Sequence, residues 1–288
     1  MTTSTDPSSE FQNQAPAILV TGAAKGIGYA TCIAMAQAGW RVFAGVRKDS
    51  DVVPGCEMVL LDVTSDVYVA DAVRLLESLL PHGLSGLVNN AGFVQPGPLE
   101  CIPPDSFSDL LAVNVEGVHR VTAAFLPLLR KGNGKKPGRV VNISSMSGVF
   151  ALPILGAYNA SKFALEGMSD AWRRELRPQG VGVFLVQPGP IRTPIWRRAD
   201  SLSQHVQANM SDEQVRLYTP VMTSIQKHSQ AAEKTALPPE RVVRAIKKAL
   251  CARRPPLRQV VGWRTWGVMQ LGRWLPGKWI DFIIMNRT

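Results

Sequence analysis

Short apolar runs, each closed by a glycine, a proline or a polar residue, recur along this chain, and longer stretches of helical period separate them. Residues 17–20, Ala-Ile-Leu-Val, are too few for a helix and predict a first strand, and the pattern over 29–38 predicts a helix stopping at Gly39. Further strands are predicted at 41–46, 58–61, 84–88, 139–143 and 181–186. Helices are predicted at 66–80, with Leu75, Leu76 and Leu79 on the apolar side, at 107–130 as one or two segments, and at 158–177, closed by Pro178 and Gly180. From 190 to about 238 the rhythm is lost. Irregular, polar text with helical patches near 212–230 predicts a lid inserted between the sixth strand and the last helix.

Strands alternating with helices predict an α/β fold, a doubly wound parallel sheet of Rossmann type with helices on both faces. Ligands in such sheets bind outside the carboxyl ends of the strands. Polar and glycine-rich residues gather at those ends: Thr21 to Gly28, Asp62, Asn89 to Gly92, Ser144 and Ser145, and Pro188 to Thr193.

With 288 residues, 45% of them hydrophobic, one domain over 15–260 plus a C-terminal extension over 261–288 suits the length. Residues 1–14, rich in Ser, Thr, Asp and Gln, have neither an apolar core nor a basic start and read as a disordered tail, not a signal peptide. Cys32, Cys56, Cys101 and Cys251 show no metal-ligand spacing, so a reducing, cytoplasmic setting is expected, with neither zinc nor a disulfide framework.

The net charge of +10 is unevenly placed. From Arg241 onward, eleven Lys or Arg residues face the single acid Asp281, whereas residues 1–240 carry 21 bases and 21 acids. That basic tail also holds Trp263, Trp266, Trp274 and Trp279. A basic, aromatic stretch can lie at a membrane surface, which makes peripheral membrane contact one expectation. Packing on the substrate mouth or on a second subunit is the other. No recognition motif supports a nucleic-acid partner.

Two groups of residues suggest chemistry. In Thr21-Gly22-Ala23-Ala24-Lys25-Gly26-Ile27-Gly28 the glycines allow a tight turn and let backbone N–H groups and a helix N-terminus approach a pyrophosphate. Tyr158 and Lys162, four apart on a predicted helix, share one face, where the cation can favour the phenolate and lower its pKa. Such a Tyr can act as a general acid or base.

Taken together, Thr21-Gly22-x-x-x-Gly26-Ile27-Gly28, Asn89-Asn90-Ala91-Gly92, Asn114, Ser145, Tyr158-x-x-x-Lys162 and Pro188-Gly189 resemble the short-chain dehydrogenases/reductases, in order and register over 17–193. The general layout is most similar to the hydroxysteroid and retinol dehydrogenase branch. The resemblance implies an NAD(P)-dependent oxidoreductase in which Tyr158 is the catalytic acid/base, Lys162 lowers its pKa and binds the nicotinamide ribose, and Ser145 holds the substrate oxygen. It makes Asn114 the fourth catalytic residue, holding a water that relays protons to Lys162. It further implies that Asn89 and Asn90 brace the sheet and line the adenosine ribose, beside Gly92, and that Asp62 and Val63 contact the adenine. The resemblance likewise implies that Pro188, Gly189, Ile191 and Thr193 belong to a loop that orients the carboxamide.

NAD-preferring members place an acid after the second strand, but here Val46 is followed by Arg47 and Lys48. Arg47 and Lys25 can pair with a 2′-phosphate, so NADP(H) is favoured over NAD(H). The alternative has Asp49 or Asp51 on a 2′-hydroxyl and Arg47 in solvent. The expected pocket wall of Phe93, Val94, Gln95, Phe150, Ala151, Leu152, Pro153, Leu155 and Trp196 is mostly apolar, which predicts a hydrophobic ketone, aldehyde or alcohol substrate of steroid, retinoid or other lipid type. Arg192, Arg197 and Arg198 read as exposed loop residues unless the substrate is acidic. A homodimer or homotetramer is implied by the resemblance alone. Competing readings are an NAD-dependent alcohol dehydrogenase and a silent nucleotide-binding scaffold.

Overall fold

The computed structural model of the chain describes residues 15–285. The tail expected over 1–14, and the last three residues of the extension, lie outside them. Seven parallel strands form one sheet: β1 (Ala17–Thr21), β2 (Arg41–Val46), β3 (Glu57–Leu60), β4 (Gly86–Asn89), β5 (Arg139–Ile143), β6 (Gly182–Pro188) and β7 (Arg258–Val261), in the order β3-β2-β1-β4-β5-β6-β7. The chain starts in the middle and winds first one way, then the other, so the strand order reverses between β1 and β4. That switch point is where a doubly wound sheet opens its ligand crevice.

Burial on both faces explains why the inner strands read as continuous apolar runs. All five residues of β1 are buried. Alternate side chains point to opposite faces. Leu19 joins a core with Phe43, Leu76, Leu87, Phe125 and Leu129, under helices α2 (Asp66–Leu79) and α4 (Gly117–Lys131). Ile18 and Val20 join the opposite core with Cys32, Met35, Ile246 and Leu250, under α1 (Gly26–Gln37) and α8 (Glu240–Cys251).

Three regions differ from the sequence reading. The helical stretch at 107–130 is α3 (Pro104–Leu111), a π-helical turn over Ala112–Glu116, and α4. The stretch expected to form a lid is two regular helices, α6 (Ile195–Ala208) and α7 (Asp212–Lys234), after α5 (Gly156–Leu176). Each lid helix buries one residue, Val206 and Met222, so hardly any apolar period marks it. A capping box starts α7, in which Ser211 Oγ accepts from Gln214 N–H and the Gln214 side chain accepts from Ser211 N–H. Finally, β7 went unread because only Val260 and Val261 are apolar in it. Pairing with β6, from Leu185 opposite Arg258 to Pro188 opposite Val261, makes it a strand. Beyond it lie α9 (Trp263–Trp274) and α10 (Gly277–Met285).

Candidate active site

The glycine turn lies between β1 and α1, beside the switch point. Gly22 and Gly26 have φ of 63° and 62°, the left-handed region that glycine adopts without a Cβ penalty. Gly28 is fixed by contact instead: a Cβ there would lie 2.4 Å from the Gly22 carbonyl oxygen and 2.5 Å from Asn90 Nδ2. Asn90 holds the turn in place, its Nδ2 donating to the carbonyls of Thr21 (2.9 Å) and Gly22 (3.1 Å) while its N–H donates to Thr21 Oγ1 (3.0 Å). Among the described residues no side chain caps the start of α1, which leaves its first N–H groups available to a ligand. Ile27 anchors the turn from below against the core around Met35. Narrow, donor-rich and without room for a Cβ, this cradle fits a dinucleotide pyrophosphate.

Asn89 donates to Thr122 Oγ1 (2.9 Å) and Asn142 Oδ1 (2.8 Å) in the buried sheet. Asp62 Oδ1 accepts from Thr64 N–H (2.9 Å) and Thr64 Oγ1 (2.7 Å). Burial alone would raise its pKa, but those bonds and the Arg47 charge outweigh it and hold the carboxyl below its ordinary value. Val63 is buried against the start of α4, where a Cβ on Gly117 would come within 2.7 Å of it. The loop after β6 returns to the glycine turn: Thr193 faces Gly26, whose Cβ would lie 3.4 Å from it. That loop is pinned by Arg192 N–H to Leu237 O (2.9 Å) and by Trp196 Nε1 to Ile191 O (2.8 Å).

On α5, Tyr158 and Lys162 lie one turn apart, as their spacing predicts. Lys162 is buried, its Nζ donating to Ile143 O at 2.9 Å and lying 5.7 Å from the Tyr158 ring centroid. Burial pushes its pKa down to about 8, against the pull of Glu166. Ser145, at the end of β5, accepts from Ser147 N–H (3.1 Å) and bonds the Tyr158 hydroxyl. One expectation is corrected here. The Tyr158 pKa is raised, not lowered: burial dominates, the Ser145 bond offsets only part of it, and the Lys162 ammonium is aimed at the Ile143 carbonyl. At neutral pH this Tyr holds its proton.

Asn114 is buried in the π-helical turn and both ends of its amide are committed. Oδ1 accepts from Phe93 N–H (3.0 Å), and Nδ2 donates to Phe93 O (3.0 Å) and Ser161 Oγ (3.1 Å). Gly92 leaves room for it, since a Cβ there would lie 3.0 Å from Asn114 Oδ1. Its side chain ties the end of β4 to α5 next to Lys162, and among the described residues it makes no hydrogen bond to Lys162 itself.

Sequence reasoning missed two features. Glu166, one turn beyond Lys162 and buried, accepts from Gln187 Nε2 (2.9 Å) and Arg258 Nε (2.8 Å), and Arg258 also pairs with Asp170 at 3.1 Å. The spacing Lys162, Glu166, Asp170 could have signalled the acids; the arrival of Arg258 on β7 could not. Arg198 sits on α6, not on a loop, with its guanidinium carbon 4.5 Å from the Phe93 ring centroid and close enough to Arg47 to feel its charge. Desolvation first, and Arg47 second, hold the Arg198 pKa below its ordinary value.

A measurable consequence follows from Glu166. For carbonyl reduction, kcat/KM of the wild-type protein is expected to fall as pH rises through about 8, where Lys162 loses its proton. Glu166→Gln removes the negative charge that favours the ammonium, so this limb should move to lower pH. An unmoved limb would mean that Glu166 only packs.

A nucleotide cradle at the switch point, beside a Tyr, Lys and Ser set at the ends of β5 and α5, defines a dinucleotide-dependent oxidoreductase. The short chain dehydrogenase family model matches residues 16–203, and the chain belongs to that family. It is 37% identical over 93% of its length to the uncharacterized oxidoreductase YbbO of Escherichia coli, covering 94% of that protein. Similarity to the NADPH-dependent 3-dehydrocapnine reductase of Ornithobacterium rhinotracheale is 36% over 84% of this chain and 87% of that one. With estradiol 17-beta-dehydrogenase 2 of Mus musculus it is 32% over 93% of this chain and 74% of the other. A Burkholderia cenocepacia short chain dehydrogenase solved in complex with NADP superimposes with a TM-score of 0.71 at 25% identity, covering 95% of this chain and 98% of that one.

Proposed function

We propose that this oxidoreductase uses NADP(H) to reduce a lipophilic ketone or aldehyde, or to oxidise the matching alcohol. The observation that carries the cofactor choice is that β2 ends on Val46 and is followed by Arg47 and Lys48 rather than an acid, with Arg47 close enough to Arg198 for its charge to be felt there and Lys25 exposed in the glycine turn. Like charges so placed are stabilised by an anion, and a 2′-phosphate supplies one where a 2′-hydroxyl does not. Substrate class is supported by the apolar character of the residues expected to wall the pocket, among them Phe93, buried, and Phe150, Leu152, Leu155 and Trp196, half-buried. The names of its relatives, a 3-dehydrocapnine reductase and an estradiol dehydrogenase, agree with a lipid-like substrate.

When bound, the nicotinamide supplies or takes the hydride. The chain supplies the rest. In the reductive direction Ser145, whose oxygen already accepts from Ser147 N–H, donates to the substrate oxygen. Tyr158, protonated at neutral pH, gives that oxygen its proton as negative charge develops there. Lys162, charged below about pH 8, stabilises the phenolate left behind. Asn114 fixes the start of the loop after β4 against α5, so that substrate wall and acid keep one geometry. A cytoplasmic homodimer or homotetramer goes with this reading.

The test compares NADPH and NADH by affinity and by turnover with a panel of lipophilic carbonyls. NADPH should bind more tightly, and Arg47→Asp should weaken it about 10–100-fold, the loss of one charge-assisted contact, while leaving NADH nearly unchanged. Unchanged NADPH affinity in Arg47→Asp would remove the 2′-phosphate assignment. Tighter NADH binding by the wild type would favour the NAD-dependent alternative.

A further inference from the structure

The C-terminal helices carry the largest apolar exposure among the described residues. Trp263 and Trp274 are 80% and 83% exposed, and Trp266, Leu271, Trp279 and Phe282 lie between 57% and 64%. Single exposed apolar residues are ordinary, but a contiguous aromatic patch marks an interaction site.

Helix α9 has two faces. Thr265, Met269 and Gly272, at helical spacing, turn inward: Thr265 and Met269 are buried, a Cβ on Gly189 would strike Thr265, and one on Gly272 would lie 2.6 Å from Phe150. This face rests on the loop after β6 and on Phe150, a residue expected from the sequence to wall the substrate pocket. The outward arc holds Trp263, Trp266, Leu271 and Trp274. One helix therefore has the loop after β6 and Phe150 under it and tryptophans over it.

We propose that α9 and α10 lie flat in the surface of an anionic lipid bilayer, tryptophans at the headgroup level, with the loop after β6 and Phe150 under α9 held close to the membrane. Charge selects this occupant. On α9 and α10 the bases Arg264, Arg273 and Lys278 outnumber the single acid Asp281, so a two-fold contact with a second copy would bring like charge against like. Anionic headgroups neutralise the same bases, among them Arg264, which stacks on Trp263 with its guanidinium carbon 5.3 Å from the ring centroid. No helix among the described residues is long and apolar enough to cross a membrane, so the contact is in-plane. Delivery of a lipophilic substrate from the bilayer rests on the functional reading above; the docking itself does not.

The experiment uses the full chain, sedimented with vesicles of phosphatidylcholine alone or with phosphatidylglycerol added, at low and high salt. Binding is expected to the phosphatidylglycerol vesicles, weakened by salt. Trp263→Ala with Trp274→Ala, both outward-facing, should cut it at least about tenfold, while NADPH turnover of a water-soluble carbonyl stays at the wild-type level. Equal unbound fractions with and without vesicles would overturn the proposal. So would a concentration-dependent dimer, seen by light scattering, that the double variant abolishes, because the patch would then be a subunit interface. Vesicle binding without turnover of any carbonyl would leave the docking standing and remove the functional reading.

Discussion

Tyr158→Phe is expected to lower turnover by about 10²–10⁴-fold, the range a positioned general acid contributes, with NADPH affinity changed by less than about threefold. The ring is part of an apolar cluster that Phe fills equally well, so the fold should be untouched. What disappears is the hydroxyl that bonds Ser145 and carries the proton. Equal loss of binding and turnover would mean that the phenol matters for nucleotide placement, not for proton transfer. Turnover kept within threefold would remove Tyr158 from the chemistry altogether.

Gly28→Ala should have the second largest effect, through geometry alone. Its Cβ would meet the Gly22 carbonyl oxygen at 2.4 Å and Asn90 Nδ2 at 2.5 Å, and neither can retreat without opening the turn that Asn90 holds shut. Overpacking of this kind costs about 1–3 kcal/mol. Because the strain falls on the cradle, the NADPH-dependent rise in melting temperature, about 2.7 kcal/mol of stabilisation at a hundredfold excess over Kd, should vanish as well. Gly167→Ala is the control. It sits in α5 with nothing within 4 Å of its Cβ, and Ala there should stabilise by roughly 0.5–1 kcal/mol. If both substitutions leave NADPH stabilisation intact, the glycine turn is not the pyrophosphate cradle.

The parts of this molecule that were legible from the sequence are those specified by local pattern. Inner strands buried on both faces must be apolar throughout, so β1, β2 and β5 could be placed to within a residue. The Tyr158 and Lys162 spacing needed only the helix it lies on. What stayed illegible depends on contacts between distant segments. Strand β7 has only two apolar residues and becomes a strand by pairing with β6. Helices α6 and α7 bury one residue each, and of the two only α7 opens on a capping box. Arg258 finds Glu166 across 92 positions of sequence, and Arg198 meets Phe93 and the Arg47 charge only in the folded chain. The direction of the Tyr158 shift was misread for the same reason. Spacing gives the distance between two groups along a helix, but not how deeply the phenol is buried or where the ammonium points.

The most direct test of the central claim follows hydrogen from cofactor to product. A lipophilic ketone is incubated with NADPH carrying deuterium at nicotinamide C4, each face labelled in turn, and the alcohol is analysed by mass spectrometry. The account predicts one deuterium on the carbinol carbon from one face only, and little alcohol from Tyr158→Phe. No alcohol from any ketone in the panel, or alcohol without deuterium from either face, would contradict it.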